Sequence, residues 1–154
     1  SCLSRSYTYL IFNRREPSPH WHEKAGHIPH KININLMQQN LDCLLGEKDF
    51  SAFRSSECGS STPMCHMTRF EIEEISGQNL IAIHIEANHF LHNMVRILVG
   101  TLVDIGRGHL APESLPQIME SKDRTQAGHT VSPHGLYFKA AKFKPHKVLE
   151  SCKK

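Results

Sequence analysis

Residues 88–108 read NHFLHNMVRILVGTLVDIGRG, and no other stretch restricts the fold of this chain so tightly. Wound as a helix over 89–107 at 100° per residue, the segment is apolar on nearly every side. Such a helix holds only if it is buried against other structure. Its one polar stripe runs His92, Arg96, Gly100, Asp104 at i, i+4 spacing, with His89, Asn93 and Arg107 beside it. Two readings of the stripe fit. In one it faces water and Arg96 solubilises it, as most arginines are exposed. In the other it lines a cleft, Gly100 leaves room for another backbone or a ligand, and Arg96 requires an anion. Asp104 is two turns away, too far along the axis, so that anion must come from elsewhere.

The surface that buries the helix is written in alternating segments. SYTYLIFN (6–13) reads as a strand, and HMTRFEIEEIS and NLIAIHIEAN read as a hairpin about a turn containing Gly77. In the second arm Ile81, Ile83 and Ile85 share one face and Ala82, His84 and Glu86 the other. Met37, Leu41, Leu44 and Leu45 predict a helix, with Asn33 or Asn35 as N-cap and Gly46 as a left-handed stop. A shorter helix with Leu115, Ile118 and Met119 follows Pro112, and GLYFKAAKF supplies a last strand. The order strand, helix, strand, strand, helix, helix, strand predicts an α+β fold. In it an antiparallel sheet carries helices on one face, as RRM-like and ferredoxin-like folds do.

A length of 154 residues suits one domain with a real core. Lys and Arg number 18 against 15 Asp and Glu, a net +3 that permits a nucleic-acid partner without demanding one. No run approaches the ~18 apolar residues of a membrane span. The sequence shows no secretory signal pattern. It begins without Met, close to a strand, which is the expectation for a fragment of a longer protein. Five cysteines, odd in number and without a Cys-x-x-Cys pair, speak against a disulfide framework or zinc ribbon. PHWHEKAGHIPH gathers His20, His22, His27 and His30 among prolines. Either these are solvent-facing loop histidines or they make a metal site, although neither cysteines nor helical ligand spacing accompany them.

Four segments, in order, carry a resemblance: RSYTYLIFN, CLLGEKDFSAFR, FLHNMVRILVGTLVDIGRG and DRTQAGHTVSPHGLYF. Together they resemble the TruA family of tRNA pseudouridine synthases, over essentially all 154 residues. The resemblance implies an enzyme that converts uridines of the tRNA anticodon stem-loop to pseudouridine without cofactor or metal. It also implies two similar α+β halves around a basic cleft, paired as a cytoplasmic homodimer. Residues 1–154 correspond to the C-terminal half. The family nucleophile is an aspartate in an Arg-Thr-Asp-x-Gly motif of the first half, which this chain does not contain. Asp104-Ile105-Gly106 mimics its last part but ends an apolar helix and is not read as catalytic.

By position, Arg96 matches the arginine that pairs with that aspartate. Tyr7 matches the tyrosine that stacks on the uracil, although the strand pattern equally describes a tyrosine of the sheet face. Leu136 resembles the apolar wall of the uracil pocket, or is a core leucine. Arg5, Arg15, Arg54 and Arg124 fall where the resemblance brings tRNA near, mostly for phosphates. The loop 55–63 carries Glu57 where many relatives are basic, so a strong phosphate grip is not expected there. Lys139, Lys142, Lys144 and Lys147 either attract RNA or form a solvated edge. The competing expectations are a non-catalytic RNA-binding module of the same fold and a His-rich metal-binding domain.

Overall fold

A computed structural model describes residues 2–55 and 62–143, so Glu57 and the tail lysines Lys144 and Lys147 lie outside the described residues. Strand β1 (Cys2–Phe12) is the hub of the sheet. It pairs antiparallel with β5 (Leu80–Ala87) and with β6 (Leu136–Phe143), and parallel with the short β2 (Gly26–His27). On the far side of β5 come β4 (Met64–Ile75) and β3 (Gly46–Asp49), both antiparallel. The expected α+β sheet is present, with β2 as a parallel addition. Neither β2 nor β3 is long enough to announce itself by alternation.

The register decides which side chains meet the helices. Tyr7 lies opposite Ile85, Tyr9 opposite Ile83 and Ile11 opposite Ile81, and Phe70 and Ile72 continue those rows on β4. These residues form the main core with helix α2 (Met94–Gly106). Within α2 only Arg96 and Asp104 are not buried. Each aliphatic side chain so buried stabilises the fold by roughly 1.5–3 kcal/mol. On the opposite face Ser6 pairs with Glu86 and Thr8 with His84. One end of that face is covered by a small second cluster of Phe12, Ala25 and Leu80, against which Trp21 packs.

Two helix expectations need correction. Helix α2 begins at Met94 and not near His89, because Asn93 sits in the left-handed region (φ 62°). The turn before it is tied by the Asn88 side-chain carbonyl, which accepts from the backbone N–H groups of His66 and His89 at 2.8 Å each. His89 and His92 are therefore turn residues. The helix expected through Met37 to Leu45 breaks after α1 (Ile34–Gln38) and resumes as a 3₁₀ turn at Leu41–Leu44. Asn40 interrupts it by donating its side-chain N–H to the Pro112 carbonyl at 2.9 Å, which docks this segment on the approach to α3 (Ser114–Ser121). Asn33, the first of the two candidate caps, accepts from the Leu36 N–H at 3.3 Å. Gly46 has φ 92° but opens β3. Among the described residues no helix is long and apolar enough to cross a membrane.

Candidate active site around Arg96

Arg96 projects from the first turn of α2 and is partly buried. Its Nε donates to the Val131 carbonyl at 2.8 Å and its Nη1 to the Asn93 side-chain oxygen at 3.1 Å. Among the described residues it has no carboxylate partner. A solvated stripe does not describe this geometry. The guanidinium is clamped from two sides by neutral oxygens, and among the described residues its remaining N–H groups have no acceptor and its charge no counter-charge.

The clamp is built by a strap of chain, 123–131, laid across α2. An added Cβ at Gly100 would collide with the His129 carbonyl oxygen, so the room left by that glycine admits backbone and not a ligand. Next to it the buried Thr101 hydroxyl donates to the Ile97 carbonyl and accepts from the Gly128 N–H, both at 2.8 Å. Arg124 donates to the Gly128 carbonyl at 2.8 Å and to the Thr130 hydroxyl at 3.3 Å, folding the strap on itself. Asp104 pairs with His129 at 3.7 Å, so the decoy Asp-x-Gly aspartate is engaged in holding the strap.

Tyr7 is partly buried on the helix-facing side of β1. Its ring meets Phe90 edge-on at 5.2 Å and Phe138 at 5.7 Å. Edge-to-face contacts of this kind fix a ring's orientation. No hydrogen bond to the Tyr7 hydroxyl is found among the described residues. Two positions on, Tyr9 is buried and donates to the Ser132 carbonyl at 2.7 Å. Burial pushes its phenol above the ordinary value, while the Ser132 bond and the Arg96 charge pull the other way. Tyr9 thus feels the guanidinium and ties the strap to the strand that carries Tyr7. Leu136 lies opposite Tyr9, partly buried against the core, and Phe138 lies opposite Tyr7.

The structure gathers some of the sequence candidates and separates others. Arg5 is opposite Ala87, where β5 ends and the turn 88–93 leads to α2, and it is exposed. Arg54 closes the 3₁₀ turn Ser51–Phe53, and the adjoining Ser55 N–H donates to the His92 carbonyl at 3.2 Å. Both therefore lie toward the α2 N-terminus. Arg15 is exposed beyond the other end of β1. Arg124 is committed to the strap. The sequence placed Asn93 beside the Arg96 stripe without a role, and did not single out Val131 or Thr101. A left-handed Asn just ahead of an apolar helix was the one signal available for the first. Among the described residues no three His, Cys, Asp or Glu side chains converge to hold a metal, and His27 Nε2 lies 2.7 Å from the Arg14 carbonyl.

A sequence profile of the family described as tRNA pseudouridine synthase matches residues 42–144. The tRNA pseudouridine synthase A of Dechloromonas aromatica is 40% identical over 146 residues, covering 95% of this chain and 55% of that protein. The enzymes of the same name from Francisella tularensis subsp. novicida and subsp. mediasiatica are each 41% identical over 138 residues, covering 90% of this chain and 53% of theirs. The chain spans about half the length of these curated relatives.

Proposed function

Since the chain belongs to the tRNA pseudouridine synthase family, we propose that it is the C-terminal part of an enzyme isomerising uridine to pseudouridine in the tRNA anticodon stem-loop. One observation carries the reading: Arg96 is held at two points and half-buried, with no carboxylate partner among the described residues, in a chain that spans about half the length of its relatives. A desolvated guanidinium of this kind keeps a nearby carboxylate ionised and oriented. The carboxylate is the nucleophilic aspartate of an N-terminal half outside this sequence.

Each residue then has a part in the isomerisation. The target uridine leaves the base stack, because its reacting atoms are inaccessible in stacked RNA. The aspartate, steered by Arg96, bonds to ribose C1′ as the C1′–N1 bond breaks; the freed uracil turns, its C5 bonds to C1′ as the aspartate leaves, and N1 takes up a proton. The C5 proton is then lost to a base beside the ring, and the Tyr7 hydroxyl, which has no hydrogen bond among the described residues, is the candidate on this side. Phe90 and Phe138, in T-shaped contact with Tyr7, fix its ring beside the uracil, and Leu136 contributes apolar wall. Arg5, Arg15 and Arg54 engage tRNA phosphates, and Arg124 acts through the strap. The enzyme works without cofactor, as a cytoplasmic homodimer.

The test is tritium release from C5-labelled tRNA. The full-length reading frame is expected to turn over and the 154-residue chain alone to be inert. Turnover by the chain alone overturns the divided site. Salt-sensitive tRNA binding with no turnover in either form would make it a non-catalytic RNA-binding module.

A further inference from the structure

A cavity of about 270 Å³ opens next to the strap, on the side away from α2's core face. Phe12 and Ala25, both buried, and the half-buried Trp21 line it; His22, His134 and Ser132 stand at its exposed rim. Trp21 is fixed by its own turn, in which the N–H groups of Lys24 and Ala25 donate to its carbonyl at 2.9 and 3.2 Å. Its indole N–H has no acceptor among the described residues.

The lining combines an aromatic surface with polar groups, among them the indole N–H and a His22–Glu23 pair at 3.9 Å. An aliphatic ligand would use only the surface. A nucleobase uses both, since every base offers a π-face and an edge of donors and acceptors. The volume falls just short of the roughly 300–1,000 Å³ of pockets for drug-sized ligands, which suits one ring system. Charge is placed accordingly. The Arg14 guanidinium lies 5.2 Å from the Phe12 ring, and its N–H groups reach the Glu16 and Pro17 carbonyls at 3.2 Å. The adjoining Arg15 is exposed and has no partner among the described residues.

The cavity is also wired to the candidate active site. Ser132 follows Val131, whose carbonyl holds Arg96, and the Ser132 carbonyl itself accepts from Tyr9. We propose that this cavity is a nucleobase subsite, taking one unpaired base of the bound RNA on the Trp21 ring. The proposal rests on the tRNA-modifying function above and adds to it a second point at which the RNA is held.

Trp21 is the sole tryptophan, so its fluorescence in the 154-residue chain reports this cavity directly. Adenosine 5′-monophosphate is expected to quench it saturably, while ribose 5-phosphate, the same sugar and phosphate without a base, is expected to leave it unchanged. Ser132→Phe fills the mouth from an exposed position and is expected to weaken the response about tenfold, the scale of one lost base stack. His134→Ala, equally exposed, is the second variant, with weakening in the same direction. Three results overturn the proposal: equal quenching by ribose 5-phosphate, an adenosine monophosphate response that neither variant alters, or no quenching by chain that melts cooperatively. Pseudouridine formation by the full-length reading frame is scored separately, so failure of the subsite and failure of the enzymatic reading are distinguishable.

Discussion

Arg96 and Val131 hold each other through both backbone and side chain. The Arg96 Nε donates to the Val131 carbonyl at 2.8 Å, and the Val131 N–H donates back to the Arg96 carbonyl at 3.3 Å. A helix residue and a strap residue are thereby locked in register, and the guanidinium inherits the rigidity of the core beneath it. Removing one of those bonds moves the charge as well as the chain.

The close approach at Gly100 is the mechanical basis of that register. Gly100→Ala forces a methyl group against the His129 carbonyl, with backbone on both sides and no flexible side chain to yield. Overpacking of this kind costs about 1–3 kcal/mol. Thermal denaturation should show a lower Tm, and the variant should lose activity in the full-length protein beyond what its folded fraction explains.

Thr101 separates polarity from shape. Thr101→Val preserves the outline but leaves the buried Gly128 N–H without an acceptor. That deficit is expected to cost about 1–3 kcal/mol, and Thr101→Ser, which keeps the hydroxyl, less. Urea unfolding of the two variants side by side provides the comparison.

Alkaline stability follows from two acids held neutral by burial. The Tyr9 phenol is raised from 10.0, and the Cys43 thiol is pushed from 9.0 up to about 11. A group whose folded value is raised keeps its proton in the fold after the unfolded chain has lost it. The Cys43 contribution is therefore whole below pH 9 and lost as pH climbs to about 11, and that of Tyr9 is whole below pH 10 and lost as pH rises through its raised value. Cys43→Ser should flatten the decline of urea-unfolding free energy between about pH 9 and 11, where one such group contributes up to about 1.4 kcal/mol per pH unit.

The arginines divide by what they touch. Alanine at Arg5, Arg15 or Arg54 should weaken tRNA binding by the full-length protein evenly across tRNA sequences, each lowering the salt slope by about 1. Arg124→Ala should instead lower Tm first, since its bonds to the Gly128 carbonyl and Thr130 hydroxyl brace the strap. Salt-dependent filter binding and melting curves for all four variants distinguish the groups.

How much of this was legible in the sequence depends on the range of the interaction. The Ile81, Ile83, Ile85 row and the apolar helix were readable because period and burial are local properties of a pattern. The break after Gln38 was not, since the Asn40 contact to Pro112 spans 72 residues. Nor was the start of α2 at Met94, which is set by one left-handed residue. At the site, Arg96 stood out because a charge among aliphatic residues is costly to bury. That Gly100 receives a carbonyl and Asp104 a histidine depended on the strap's path across the helix, which no spacing encodes. Tyr7 was placed by resemblance; its two aromatic neighbours come from a turn and an edge strand brought together only by folding.

At the heart of the proposed function is an ion pair between Arg96 and a carboxylate outside this chain. It is tested most directly by kcat for pseudouridine formation in the full-length reading frame, wild type against Arg96→Met. Arg96→Met is expected to lose about a hundredfold or more, the scale of removing one preorganised electrostatic contact, with tRNA affinity within about threefold. An Arg96→Met enzyme with undiminished kcat would contradict it.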